Sequence, residues 1–145
     1  MGKIFELAPE GIERLLHKAL IGRIACAAEG EGRPYLVPIG FGYDGEAVYF
    51  LSGPGRKIDI MRKQPLAAFE VDEGEAEDRW RSVVADGTYE ELASVEQRRN
   101  AMKVLFGEGP YPEVGDHMIF FRLVLTRKSG RYEVPDDEAE QIGAS

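Results

Sequence analysis

Near the start of the chain, apolar side chains recur at helical spacing, at Ile12, Leu15, Leu16, Ala19 and Leu20, behind a proline at position 9 that suits a first helical turn. The spacing predicts a helix over 9–20. Beyond it the pattern shortens to strand-length runs. Residues 21–28 are apolar apart from Gly22 and Arg23, a Gly30/Gly32 turn follows, and 34–43 read as the second arm of a hairpin. Asp44-Gly45 is a two-residue turn signal, and 46–52 form the next strand. After the loop Ser52-Gly53-Pro54-Gly55, Ile58 and Met61 lie three apart and predict a short helix over 56–63. Residues 66–71 and 80–92 read as strands separated by an acidic linker, 72–78. Ser94 with Gln97 three residues later is a capping-box pattern that opens a helix through 106. The loop 107–115 carries Pro110 and Pro112, then 117–126 is apolar except for Arg122 in its middle, and 131–134 follow a turn expected at Gly130. An apolar strand of that kind must be covered on both faces. Six or seven antiparallel strands with few helices predict a small, closed or nearly closed β-barrel whose outer face is sealed by helices or by a second subunit. The single domain is expected over 1–134, with 135–145 a flexible acidic tail.

Composition narrows the possible roles. With 145 residues, 43% of them hydrophobic and 30% charged, the chain has an ordinary globular make-up and room for one core. A net charge of −8 argues against an extended surface for nucleic acid or anionic membrane, so any anion site must be local. The single Cys26 excludes an internal disulfide and any multi-cysteine metal centre, and no metal site is expected. No apolar stretch approaches the ~18 residues of a membrane span. The start, 1–10, lacks the basic and apolar regions of a signal peptide, and a cytoplasmic location is expected.

Several motifs are decoys. Gly40, Gly42 and Gly45 spell G-x-G-x-x-G, but Asp44-Gly45 turns into another strand, where a dinucleotide fingerprint needs a helix. With two histidines, His17 and His117, and one cysteine, a catalytic triad has little to draw on. The segment Ser52-Gly53-Pro54-Gly55-Arg56-Lys57 is different. It combines a hydroxyl at a strand end, glycines that admit a close approach, a helix N-terminus with free amides, and two cations in an acidic chain. These are the requirements of a phosphate site, although the register is not that of a Walker loop. A tight turn with a solvated basic pair is the plainer alternative.

An ordered series of segments adds to this reading: Arg33-Pro34-Tyr35-Leu36-Val37-Pro38-Ile39-Gly40-Phe41, Leu51-Ser52, Arg56-Lys57, Pro65-Leu66-Ala67-Ala68-Phe69 and Trp80-Arg81-Ser82-Val83-Val84-Ala85-Asp86-Gly87. From about Leu15 to Phe106 the chain resembles the pyridoxamine 5′-phosphate oxidase-like superfamily of FMN-binding split barrels, nearest the nitroimidazole-resistance branch. The resemblance implies a six-stranded antiparallel split barrel with FMN as cofactor. It implies that Ser52, Arg56 and Lys57 hold the FMN phosphate, that Val37, Pro38 and Ile39 line the ring edge, and that Phe41 borders the flavin. Leu51 and Ser82 fall at family positions near the flavin, Ser82 sometimes from a partner subunit, and Trp80 packs beside the ring or fills the barrel. It also implies a homodimer with flavin at the interface, which the apolar strand 118–125 would accommodate.

Two departures matter. Leu51 stands where the nitroreductase branch commonly has His, and the C-terminal Arg-Leu motif of true pyridoxamine phosphate oxidases is not recognisable around Arg131-Tyr132-Glu133-Val134-Pro135. The expected activity is transfer of electrons from a reduced nicotinamide, NAD(P)H, through FMN to a small acceptor, with no catalytic residue assigned and His117, Tyr43 and Tyr49 as weak acid candidates. A non-catalytic flavin or haem binder of the same fold, and a deazaflavin-dependent reductase, are the rivals.

Overall fold

Strand order explains why the sheet cannot stay flat. In the computed structural model, which describes residues 1–30 and 32–143, the strands are β1 (Gly2–Glu6), β2 (Ile21–Cys26), β3 (Tyr35–Gly40), β4 (Gly42–Tyr43), β5 (Ala47–Ser52), β6 (Leu66–Ala76), β7 (Arg79–Glu91) and β8 (Ile119–Pro135). All pairings are antiparallel, in the order β3-β2-β6-β7-β8-β5-β4, with β1 added on the distal half of β8. β3 and β4 stand at opposite ends of that order, yet Phe41 alone separates them in sequence. The sheet must therefore curl until its ends meet, and the result is the split barrel.

Alternation along each strand puts one set of side chains inside. Ile24, Cys26, Val48, Phe50, Phe69, Val71, Val83, Ala85, Phe121 and Leu123 form the barrel core, none more than 3% exposed. Phe50 stacks on Phe121 at 4.8 Å and meets Phe69 edge-on at 5.7 Å. Truncating such a ring typically costs about 3–5 kcal/mol. Helix α1 (Pro9–Lys18) and helix α2 (Arg56–Lys63) feed the same core through Ile12, Leu15 and Leu16 and through Ile58, Ile60 and Met61. The two helices sit at opposite ends of β6: α2 runs into its start at Leu66, whereas Lys18 of α1 pairs with Glu73 at 3.0 Å.

A smaller core lies outside the barrel. Helix α3 (Val95–Phe106) is closed by Ser94 and Gln97, whose side chains each bond to the other's backbone. Its Ala101 packs with Ala47 and Tyr49 of β5, Phe120 of β8, and Leu92 just beyond β7. The apolar strand that needed two covers thus has both within one chain, the barrel on one side and α3 on the other. Strand 118–125 therefore needs no second subunit to cover it, since helices supply the outer seal.

Four local expectations change. The segment 72–78 is no linker: β6 runs to Ala76, and its acids are offset by cations distant in sequence, Arg23 on Asp72 at 3.0 Å and Lys18 on Glu73 at 3.0 Å, with Arg81 of the paired strand also on Glu73 at 3.4 Å. Gly130 makes no turn: β8 passes straight through it, and the position takes glycine because a side chain there would lie 2.9 Å from both Leu7 and Ile12. β1 was not anticipated, and it pairs from Gly2 against Pro135 to Glu6 against Arg131. In place of a flexible tail, Asp136–Gly143 form helix α4, with Ala139 buried and Glu138 ion-paired to Arg79, while residues 144–145 of that tail, like residue 31 in the Gly30/Gly32 turn, lie outside the described residues. Among the described residues this gives eight strands, one more than the seven runs read from the sequence, since β1 is added and 34–43 divides at Phe41, while 117–126 and 131–134 fuse. None of the described helices is long and apolar enough to cross a membrane.

Candidate functional site

Strand β5 ends inside the barrel wall on Ser52, which is 8% exposed and donates its hydroxyl to the Gly53 carbonyl at 2.8 Å. The next three residues turn the chain into α2. Gly53 and Gly55 face open space, with no atom within 4 Å of where a side chain would begin, so a ligand can approach the backbone there. Gly55 caps α2 without any side chain to satisfy its first amides. Arg56 opens the helix with its guanidinium over the Tyr35 ring, 5.5 Å from the centroid. Burial pushes the Cys26 thiol up, while the positive charges of Lys57 and Arg56 pull it down, which places both cations beside the end of β2. Tyr35 pairs with Cys26 across β3 and β2, so Ser52, the open glycines, Arg56, Lys57, Tyr35 and Cys26 converge on one end of the barrel.

The other expected residues divide into two groups. Val37 and Ile39 alternate inward along β3, Pro38 points outward opposite Arg23, and Phe41 meets Phe69 edge-on at 4.8 Å. Leu51 faces away from Ser52 and packs into the outer core beneath α3. Trp80 and Ser82 lie elsewhere. Cys26 is opposite Ala67 and Ala67 opposite Gly87, so along β7 Ser82 is five residues from the basic end and Trp80 is seven. At 3.3 Å per residue these are separations of about 17 and 23 Å. Trp80 donates its ring N–H to Glu133 at 3.2 Å and walls a polar cleft of about 390 Å³ shared with Lys18, Glu73, Arg79, Arg81 and Tyr132. One chain does not bring Trp80 or Ser82 to Arg56.

The acid candidates also lie away from the loop. Tyr43 is at the α1 end, where its hydroxyl donates to Glu13 at 2.7 Å and accepts from Lys128 at 2.9 Å, and burial pushes its pKa up. Tyr49 is buried beneath α3 and accepts from Arg122 at 3.0 Å, with its pKa also raised by burial. His17 packs against the Tyr43 ring at 4.8 Å, and His117 is exposed before β8 begins. Among the described residues no three His, Cys, Asp or Glu side chains cluster closely enough to hold a metal ion. Two features escaped the sequence reading. One is Tyr35 as the platform beneath Arg56. The other is an apolar hollow of about 440 Å³ on the outer sheet face, lined by Ala25, Cys26, Pro34, Gln64, Leu66 and Ala67 and therefore continuous with the basic end through Cys26. Both depend on strand pairings that no local pattern announces.

A curled antiparallel barrel, plugged by a helix at each end and carrying a serine–glycine–arginine–lysine loop at the close of β5, defines the split-barrel class. Residues 9–131 match the pyridoxamine 5′-phosphate oxidase family profile, and the chain belongs to that family. It is 34% identical to an FAD-binding protein of Mesorhizobium loti whose crystal structure superposes with a TM-score of 0.74, covering 89% of this chain and 97% of that one. A proposed 5-nitroimidazole antibiotic resistance protein of Bacteroides thetaiotaomicron shares the fold at 20% identity and a TM-score of 0.78, covering 91% of this chain and 89% of the other. An FAD- and haem-binding protein of Mycobacterium smegmatis does so at 21% identity and a TM-score of 0.70, covering 95% and 78%. An uncharacterised protein of Rhizobium meliloti is 37% identical over 76 residues, which span 52% of this chain and about half of that relative, 49%.

Proposed function

We propose that the chain is a cytoplasmic FMN-dependent oxidoreductase that passes electrons from a reduced nicotinamide to a small acceptor, working as a homodimer. The observation that carries this reading is the loop between β5 and α2. A phosphate monoester is a compact dianion, and the loop offers it what it needs: the Ser52 hydroxyl, open backbone at Gly53 and Gly55, the uncapped first turn of α2, a forked guanidinium and a point charge. The donor set therefore fits FMN. When bound, the flavin supplies the hydride and electron chemistry. The chain's part is to grip the phosphate with Ser52, Arg56 and Lys57, to present the β3 backbone along the ring, and to exclude water with the barrel wall.

The similar proteins named as FAD-binding support a flavin in this family. The loop favours FMN over FAD, because its two adjacent cations and single hydroxyl match one terminal phosphate. Haem finds less support here, since His17 lies against Tyr43 at the other end of the barrel and His117 is exposed.

A second copy completes the site. Trp80 and Ser82 stand about 17–23 Å along β7 from the basic end, so in this reading they serve the flavin gripped by the partner's loop rather than the one at their own chain's Arg56. The outer face of β3, β2, β6 and β7 leaves Leu36, Leu66 and Val84 at 65%, 64% and 47% exposure, around the hollow that borders the basic end. That face, not 118–125, is the dimer surface in this reading. The test is a fluorescence-quenching titration of the purified chain with FMN, FAD and riboflavin. FMN is expected to bind at least tenfold more tightly than riboflavin, since a charge-assisted bond contributes about 1.5–3 kcal/mol. Equal affinities would remove the phosphate grip.

A further inference from the structure

The exposed sheet face carries one polar cluster in an apolar setting. Pro38, Arg23, Glu70 and Val84 stand directly opposite one another in a row across β3, β2, β6 and β7, and the neighbouring row runs Leu36, Ala25, Ala68 and Asp86. Phe69 and Val71 point into the barrel, so Glu70 and Asp72 project together from the outer face. A single guanidinium nitrogen of Arg23 serves both, donating to Glu70 at 2.8 Å and to Asp72 at 3.0 Å. Two carboxylates therefore share one cation and carry one uncompensated negative charge. The other groups facing Glu70 do not relieve it. β7 presents Val84 opposite, with Ser82 and Asp86 on the diagonals, and Asp86 is itself opposite Arg127 of β8. Lys18 of α1 pairs with Glu73, whose side chain alternates to the other face of β6.

We propose that association of two copies across this face is linked to proton uptake by the Arg23–Glu70–Asp72 cluster, so that the dimer forms with one proton shared between each pair of carboxylates. The inference rests on the dimer surface given above and adds its control. Covering the cluster with a second subunit removes water from a net negative charge, which is costly, whereas a proton leaves one carboxylate matched to one guanidinium. The second copy brings the same cluster and the same surplus charge, in a chain of net charge −8, so protonation also relieves repulsion across the two-fold. Partial burial, with the adjoining Asp72 carboxylate, already pushes the Glu70 pKa up to about 7, against the weaker downward pull of Arg23. Covering raises it further. Protons are thus bound on association, and the dimer weakens as pH rises through neutrality.

The measurement is the dimer dissociation constant of the FMN-loaded chain by sedimentation equilibrium at pH 6 and pH 8, at fixed ionic strength. The wild-type constant is expected to rise by about tenfold or more from pH 6 to pH 8. Glu70→Gln should hold the dimer equally at both. If circular dichroism shows that Glu70→Gln is misfolded, Asp72→Asn serves in its place, because it too removes the surplus carboxylate and leaves one acid matched to Arg23. A wild-type dimer of equal strength at both pH values overturns the linkage and leaves the dimer surface standing. So does a pH dependence that persists unchanged in the folded variant. A chain that is monomeric at both pH values with FMN still bound overturns the dimer surface itself and the linkage with it.

Discussion

Both ends of the barrel are plugged by a helix, and the two plugs are built on opposite plans. At the α1 end the charges are satisfied internally: Lys128 donates to Glu13 and to Tyr43, and Tyr43 donates to Glu13, so helix, β4 and β8 are tied by one closed network. At the α2 end two cations sit side by side with a cysteine and an aromatic ring beneath them, and the turn before them is glycine with open space in front. If the α2 end binds a phosphate as proposed, the contrast teaches how to tell a structural polar cluster from a binding one. The first has donors and acceptors in balance and needs nothing from outside. The second sets a hydroxyl and two consecutive cations beside open glycine backbone and a helix start that no side chain caps.

Exchanging the cations breaks this comparison most directly. Replacing both Arg56 and Lys57 by alanine should lower FMN affinity by roughly a hundredfold or more, while the apo chain stays within about 0.5 kcal/mol of wild type if the pair serves only the ligand. Circular dichroism and the flavin-to-protein absorbance ratio on one preparation check it, and a folded variant with full flavin would place the cofactor elsewhere. Lys128→Ala should do the reverse, lowering the unfolding free energy by about 1 kcal/mol, a figure discounted because both Lys128 and Glu13 are partly exposed, with FMN affinity unchanged. Denaturant melts paired with an FMN titration would show whether stability and binding separate in this way.

Acid sharpens the same contrast by a smaller amount. Burial alone would raise the Glu13 carboxyl, but hydrogen bonds from Lys128 and Tyr43, with the positive charges of Lys128 and His17, hold it below its ordinary 4.5. A carboxylate depressed in the folded state adds stability above its unfolded value and loses it as pH falls through the folded one. The wild type should therefore shed part of its stability below pH 4.5, and Glu13→Gln should shed less over the same interval. An identical acid profile for the two proteins would take Glu13 out of the α1 network.

Much of this was legible from short-range pattern. The helix behind Pro9, the Asp44-Gly45 turn, the capping box of Ser94 and Gln97, and the convergence of Ser52, Arg56 and Lys57 all reside within a few consecutive residues, and local chemistry decides them. What escaped was settled by pairing across the chain. The acids of β6 read as a linker because their cations, Arg23 and Lys18, are about fifty residues away in sequence. Gly130 read as a turn because nothing near it announces that Leu7 and Ile12 will press against it. β1 read as nothing at all, since Lys3, Ile4 and Glu6 leave little apolar face to notice, and it exists because β8 is long enough to host a further partner. The separation of Trp80 and Ser82 from Arg56 likewise emerges only from counting register through three strands.

The closure of the sheet at Phe41 also bears on what this protein avoids. An open sheet of this length would offer two running edges of unpaired amides and carbonyls, each a template on which another chain could add and grow a fibre. Here the last strand in the order, β4, is two residues long, and β3, the first, carries Pro38, which has no N–H to donate. An incoming strand would find one of these two edges too short to hold it and the other interrupted at its middle, so the bend that makes the barrel leaves neither end of the main strand order as a running template.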